Sequence, residues 1–484
     1  MKKERVLIIE SYDRIYKKAV NLLSGALSGY FGTTLPVRFA EEVGEEIFEK
    51  TDAVIVGSFD SPLISSFADM EIITKRSESE SYSIYVGKHP RCESEIIVIA
   101  GADAAGTLYG CVDFINRYCG SELWIDGYLW KKGRFDRPFD SPLRPWRADS
   151  APSVTTRAIW TWGHVIYDYR RFFDNMALLR LNEVVIWNDC VPFNARDVVD
   201  YAHSLGIKVI WGFAWGWSTK CEDFASKFNR AALEDIKASV LQTYEDDYAD
   251  TGADGIYFQS FTEMSREEVG GKSIAELVTD LVNETAGELL SRYPELHIQF
   301  GLHATSVKNR LDVIERVDPR IYIVWEDCGA FPYAYRTHET AGADEMLAFT
   351  ERLIGLRGEG ERFGAVLKGM LNLDWMEFEH FKGRYILGER TNEYIKERSA
   401  QKDKIWKTVQ GGWIRNAELV KRTVEIIAKN KNSVVEGLVE DAMLEDKIAF
   451  PVALYAELLW NSEASVDQLI AEISAFPSVK FANL

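Results

Sequence analysis

Eight short apolar runs, separated by amphipathic helical segments, set what this chain can fold into. They are RAIWTWG at 157–163, EVVIWND at 183–189, KVIWGFAWG at 208–216, DGIYFQSF at 254–261, HIQFGLH at 297–303, RIYIVWED at 320–327, GAVLKGML at 364–371 and SVVEGLV at 433–439. Strands that alternate with helices imply a parallel sheet, because a parallel connection must cross back over the sheet before the next strand begins. Phe172, Met176 and Leu179 stand at i, i+4 and i+7 of one intervening segment. Val198, Ala202 and Leu205 mark the next, which Gly206 closes as a C-cap. Eight such units in succession predict an α/β protein whose main body is a (β/α)8 TIM barrel. A long polar helical stretch from about Thr391 to Asn430 separates the last two strands.

Ahead of these units the pattern differs. VLIIE at 6–10, a helical stretch from Tyr16 to Leu27, DAVIVG at 52–57, YSIYVG at 82–87, EIIVIAG at 95–101 and TLYGCVDFINRYCG at 107–120 alternate as in a small α/β domain with a mixed sheet. The segment RFDRPFDSPLRPWRADSAP interleaves four prolines with charges, so it continues neither a helix nor a central strand. The expected organisation is a small α/β N-terminal domain at 1–135, a linker at 136–153 and a TIM-barrel domain with C-terminal helices at 154–484.

Charge and composition exclude several function classes. The chain has 56 Lys and Arg against 75 Asp and Glu, a net charge of −19, which repels phosphate backbones and anionic membrane surfaces. Nucleic acid and membrane are therefore not expected partners, and homo-oligomer formation is left open. The opening MKKERVLIIES has an apolar run too short for a secretory signal, so a cytoplasmic location is expected. The six cysteines form no CxxC pair, and the seven histidines show no HxH or HExxH spacing. No phosphate-binding glycine motif follows a strand. Neither a metal nor a cofactor is expected.

In a TIM barrel the site is built at the C-terminal strand ends. Those ends supply Trp160, Trp162 and His164; Trp187, Asn188 and Asp189; Trp211, Trp215 and Trp217; Gln259, Thr262 and Glu263; His303; Trp325, Glu326 and Asp327; and Asn372, Asp374 and Trp375. Eight of the 14 tryptophans fall in this set. A sugar ring offers an apolar face of C–H groups and a rim of hydroxyls, so indoles interleaved with Asp, Asn, Gln and His point to a carbohydrate ligand. The expected substrate-binding residues are Trp160, Trp162, His164, Trp187, Asn188, Trp215, Trp217, Gln259, His303, Trp325, Asn372 and Trp375.

Glycosidic cleavage requires a carboxylic acid to protonate the departing oxygen and a second carboxylate as base or nucleophile. Glu263, just past strand four, is the candidate acid, and the apolar and aromatic residues of GIYFQSF are expected to desolvate it. Asp327 is preferred as the second carboxylate, with Asp374 next. Glu326 is set behind Asp327 because adjacent strand residues face opposite sides and Asp327 lies nearer the loop.

The segment IIVIAGADAAGTLYGCVDFINRY, followed by the Pro-rich linker and RAIWTWG, resembles the small N-terminal domain and barrel entry of the alpha-glucuronidases and beta-N-acetylhexosaminidases. ALYAELLWNSEASV resembles the last barrel helix of hexosaminidase-like glycosidases. The resemblance implies a glycoside hydrolase whose acid is a glutamate after strand four, matching Glu263. Hexosaminidases place an Asp directly before that acid to orient the substrate acetamido group, and this chain has Thr262 there. The glucuronidase-like alternative pairs Glu263 with Asp327 or Asp374 for inversion, at a carboxyl separation of roughly 6.5–9.5 Å rather than roughly 5–5.5 Å. A uronic acid would need a cation, for which Lys368 and Arg336 are candidates. The reading from a different class is a non-catalytic carbohydrate-binding or sensing barrel.

Overall fold

A computed structural model describes the chain except for residues 1–3, 121–141, 189, 217–229, 265, 304, 327, 329–341, 359, 371–382, 402, 440–447, 477–478, 480 and 482–484. The N-terminal sheet is built from β1 (Glu4–Ile9), β2 (Val37–Phe39), β3 (Thr51–Ser58), β4 (Tyr82–Lys88), β5 (Glu95–Gly101) and β6 (Trp146–Ser150), in the order β2-β1-β3-β5-β4-β6. β1, β2, β3 and β5 run parallel, while β4 is antiparallel to both neighbours. Near-continuous apolar runs such as DAVIVG suit central strands covered on both faces. The helices Arg14–Phe31 and Ala104–Asp113 cover one face, and Ile64 and Phe67 of the helix Pro62–Asp69 belong to a separate apolar cluster on the other.

The GTLYG helix can lie this close to the sheet because of its two glycines. A Cβ on Gly106 would sit 2.3 Å from the Ser81 carbonyl oxygen, and one on Gly110 would sit 2.9 Å from Ile99 Cγ2. Asp103 caps the helix by accepting from Gly106 N at 2.8 Å. Part of the expected linker has structure of its own: Trp146–Ser150 forms β6, the edge strand against β4, a place where interleaved charge is tolerated.

All eight expected barrel strands form. They are β7 (Thr156–Trp162), β8 (Glu183–Trp187), β9 (Lys208–Gly212), β10 (Gly255–Gln259), then β13 (His297–Leu302), β14 (Tyr322–Trp325), β15 (Phe363–Met370) and β16 (Ser433–Val439), with a two-residue hairpin, β11 (Glu268–Val269) and β12 (Lys272–Ser273), inserted after β10. The eight close into a parallel barrel in which β16 pairs with β7. The polar stretch before β16 forms the helices Asn392–Gln401 and Asp403–Ala428.

Barrel and small domain are joined through buried polar contacts. Arg157 of β7 is fully buried, donates to the carbonyls of Val154, Thr155 and Arg180 at 2.9, 2.9 and 2.7 Å, and pairs with Glu80 of the small domain. The helix Ala449–Trp460 lies alongside: Trp460 stacks on Tyr82 at 5.8 Å, and the Tyr455 hydroxyl donates to the Ala158 carbonyl at 2.7 Å. Among the described residues, no helix is long and apolar enough to cross a membrane.

Candidate active site

The period-two alternation of a strand decides which residues enter the bore. In β10, Ile256 and Phe258 join the core shared with the helices, whereas Tyr257 belongs to a separate cluster with Trp160, Trp162, Val185, Trp187, Ile210 and Val324 inside the barrel. Gln259 is two residues beyond Tyr257 and so shares its face. In β14, Trp325 faces the helices and Val324 faces inward, which brings the next residue, Glu326, to the mouth.

Glu326 organises this mouth. It is only 5% exposed. The Tyr257 hydroxyl donates to its Oε1 at 2.5 Å, Gln259 Nε2 donates to its Oε2 at 2.6 Å, and His303 Nε2 stands 2.7 Å from the same Oε2. Burial alone would raise its carboxyl. The charge and hydrogen bond of His303, the charge of Lys368 on β15 and the Tyr257 hydroxyl outweigh burial and hold it below the ordinary glutamate range. The Tyr257 hydroxyl is pushed far upward by burial and by the Glu326 and Glu436 charges, so it stays a donor.

Three of the expected sugar-binding indoles gather beside this cluster. Trp160 stacks on Trp187 with centroids 5.8 Å apart and meets Trp162 edge-on at 4.8 Å; Trp160 and Trp187 each meet the Tyr257 ring edge-on. His164 follows in a short turn, half-buried, 6.4 Å from the Trp162 ring. Asn188 shapes the loop after β8: its amide donates to the Cys190 carbonyl at 3.0 Å and its backbone N–H to Gly212 O at 3.2 Å.

Two expected sugar ligands face the other way. Trp215 has no exposed surface and lies flat on Phe258, centroids 3.6 Å apart and planes 8° from parallel. Trp325, equally enclosed, packs edge-on against Phe349 of the helix Ala343–Ile354. Both belong to the core between strands and helices, because each occupies the outward phase of its alternation. A third expectation is corrected at Glu263. It ends a one-turn helix, Phe261–Glu263, and is exposed, so the apolar neighbours that were to desolvate it do not enclose it. The preceding Thr262 is buried instead. Its Oγ1 accepts from His303 N at 3.1 Å and its carbonyl from Ser306 N at 3.0 Å, tying the β10 and β13 loops together and placing His303.

Asp327, Asp374, Trp217, Asn372, Trp375, Asp189 and Arg336 lie outside the described residues. The sequence offers Glu326 only behind Asp327 and gives no sign of Tyr257 except the alternation, by which Tyr257 shares a strand face with Gln259. Among the described residues, no group of three or more His, Cys, Asp or Glu side chains could hold a metal ion.

No protein-family model matches the chain, and no curated protein matches it. Among solved structures, it is similar to CpGH84D, a family-84 glycoside hydrolase, with a TM-score of 0.53 and 13% sequence identity over 96% of this chain and 67% of that one. At that identity the likeness is one of fold, and it extends over the small sheet as well as the barrel.

Proposed function

We propose that the protein is a glycoside hydrolase that removes a terminal sugar from an oligosaccharide or glycoconjugate, in the manner of the hexosaminidases and alpha-glucuronidases. The observation that carries this reading is the Glu326 cluster: a buried carboxyl at the mouth of a TIM barrel, held by Tyr257, Gln259 and His303, beside three mutually packed indoles. Trp160, Trp162 and Trp187 keep only 5, 4 and 7% of their surface exposed, which is the apolar part they can offer a pyranose, and His164, Gln259 and His303 are the polar partners for its hydroxyls. As the anomeric centre gains oxocarbenium character, the nearby negative charge of Glu326 stabilises it, and a fixed charge in a water-poor setting is worth more than one in solvent. Because both Glu326 oxygens already accept hydrogen bonds, its part in this scheme is electrostatic and orienting. Glu263 supplies the proton to the departing oxygen from the loop after β10, with Asp327 or Asp374 as base toward water, which makes the reaction inverting. The small domain at 1–135 supports the barrel.

One observation favours a second reading. Glu263 is exposed, and the oxygens of Glu326 are fully engaged, so a barrel that binds sugar without cleaving it fits the same residues. The discriminating experiment measures hydrolysis of a panel of aryl glycosides and short oligosaccharides, uronides and N-acetylhexosaminides included, by the wild type, Glu263→Gln and Glu326→Gln, with sugar binding followed calorimetrically. Release of one sugar by the wild type, with both variants inactive and Glu263→Gln still binding, supports the hydrolase. Binding without release by the wild type supports the second reading.

A further inference from the structure

The bore below the mouth contains two further glutamates that the proposed reaction does not use. Glu436 of β16 pairs in register with Ala158 of β7, and Ala158 pairs with Glu183 of β8, so the two glutamates flank one methyl side chain at a single level of the wall. Adjacent strands are about 4.8 Å apart, which puts their Cα atoms about 10 Å apart and lets the side chains converge over the small alanine. Both residues have no exposed surface. Each oxygen of Glu436 lacks a hydrogen-bond partner among the described residues, as do Glu183 Oε2 and Gln299 Oε1. The other Glu183 oxygen accepts from Gln299 Nε2 at 2.7 Å.

Apart from the one hydroxyl that a protonated carboxyl presents, these four orphan atoms are acceptors, so what satisfies the rest must donate. Buried polar groups without protein partners are commonly served by internal water. Water alone does not make Glu436 comfortable as an anion, because it lies within electrostatic reach of both Glu183 and Glu326. Neighbouring buried carboxyls separate into one that ionises and one that keeps its proton. Glu326 has three hydrogen-bonding side chains and the charge of Lys368; Glu436 has none of these. The negative charge therefore falls to Glu326.

We propose that the bore beneath the mouth is a water-binding site seated on Glu436, Glu183 and Gln299, in which Glu436 holds a proton and thereby leaves the negative charge to Glu326. The titratable groups facing Glu436 are Glu183 from β8, Tyr257 from β10 and Glu326 from β14, with the Tyr455 hydroxyl reaching the wall from the helix Ala449–Trp460. Glu436 touches no substrate in this arrangement; it is a positioning residue that sets the charge of the residue above it.

The test is infrared spectroscopy of the full-length protein at about pH 9, roughly two pH units above the value near 7 to which burial lifts Glu183, so that Glu183 is ionised. The wild type is expected to show a protonated-carboxyl C=O band at the frequency of a hydrogen-bonded acid, and to shift it after exchange into heavy water. Glu436→Gln should lose this band and Glu326→Gln should retain it. A wild type without the band, or a Glu436→Gln protein that keeps it, overturns the proton assignment. A band at the frequency of an acid free of hydrogen bonds overturns the water site. Should Glu436→Gln fail to fold, Glu436→Asp must move the band, and an unmoved band counts against the proposal. No turnover is needed, so a protein that hydrolyses nothing leaves this result intact.

Discussion

Replacing Glu183 with glutamine is expected to stabilise the protein at neutral and alkaline pH and to change little in acid. Glu183 is fully enclosed in the bore, and burial lifts its carboxyl to about 7, against the partial counterweights of Lys208 and the Gln299 amide. In the unfolded chain the same group ionises near 4.5. Below that pH both states hold the proton and the group costs nothing. Between about 4.5 and 7 the unfolded chain releases its proton while the folded protein retains it, so stability falls by about 1.4 kcal/mol per pH unit and then levels off. The accumulated loss is about 3 kcal/mol. Glutamine keeps the shape and still accepts from Gln299 Nε2, so Glu183→Gln removes the pH-dependent part alone. Urea denaturation of both proteins from about pH 4 to 8.5 should give a stability difference near zero at the acid end that grows to about 3 kcal/mol by pH 8. A difference that stays flat across the range would falsify the assignment of a buried, proton-holding Glu183.

Other consequences are open to direct measurement. Tyr257→Phe removes the 2.5 Å donor on Glu326 Oε1, and the pH at which Glu326 protonates, read from its labelled carboxylate band, should rise because the anion has lost a bond worth about 1.5–3 kcal/mol. Trp187→Ala and Trp215→Ala should separate by role. Both indoles are buried, so each truncation should cost about 3–5 kcal/mol in denaturation; the first should also weaken sugar affinity about tenfold in calorimetry, and the second should leave the affinity of folded molecules unchanged. Glu80→Gln leaves the buried Arg157 guanidinium without its counter-charge, so the urea midpoint should drop by the equivalent of about 3 kcal/mol, with sugar binding intact.

The barrel could be read in the sequence because its signal is carried locally, by β-branched and aromatic runs such as EVVIW and KVIWG between amphipathic helices. β2 and β6 could not. Val37–Phe39 is three exposed residues, and Trp146–Ser150 carries Arg147 and Asp149 on an edge that is half in water. Such strands form because β1 and β4 present unpaired backbone beside them, which no window of their own sequence records. The same holds for Gly106 and Gly110: the motif is visible, whereas the closeness of Ser81 and Ile99 that demands it is a tertiary fact.

At the mouth, the residue types were legible and their directions were not. Trp160 and Trp187 stack on each other inside the barrel and Gln259 and His303 both reach Glu326, but Trp215 and Trp325, chosen on the same grounds of being aromatic and near a strand end, lie one step out of phase and fill the helical layer. A strand reverses direction at each residue, so an error of one position in where the bore-facing phase falls exchanges a ligand for a packing residue. Glu326 is placed by that phase as well: it continues the inward row of Val324 and meets Tyr257, Gln259 and His303, residues from two other strands whose convergence follows only once the barrel has closed. Closure also gives Thr262 its work. Beside Glu263 it reads as a missing aspartate, and in the folded chain its hydroxyl accepts the backbone N–H of His303, the residue whose imidazole stands 2.7 Å from Glu326 and helps hold that carboxyl below the ordinary glutamate range.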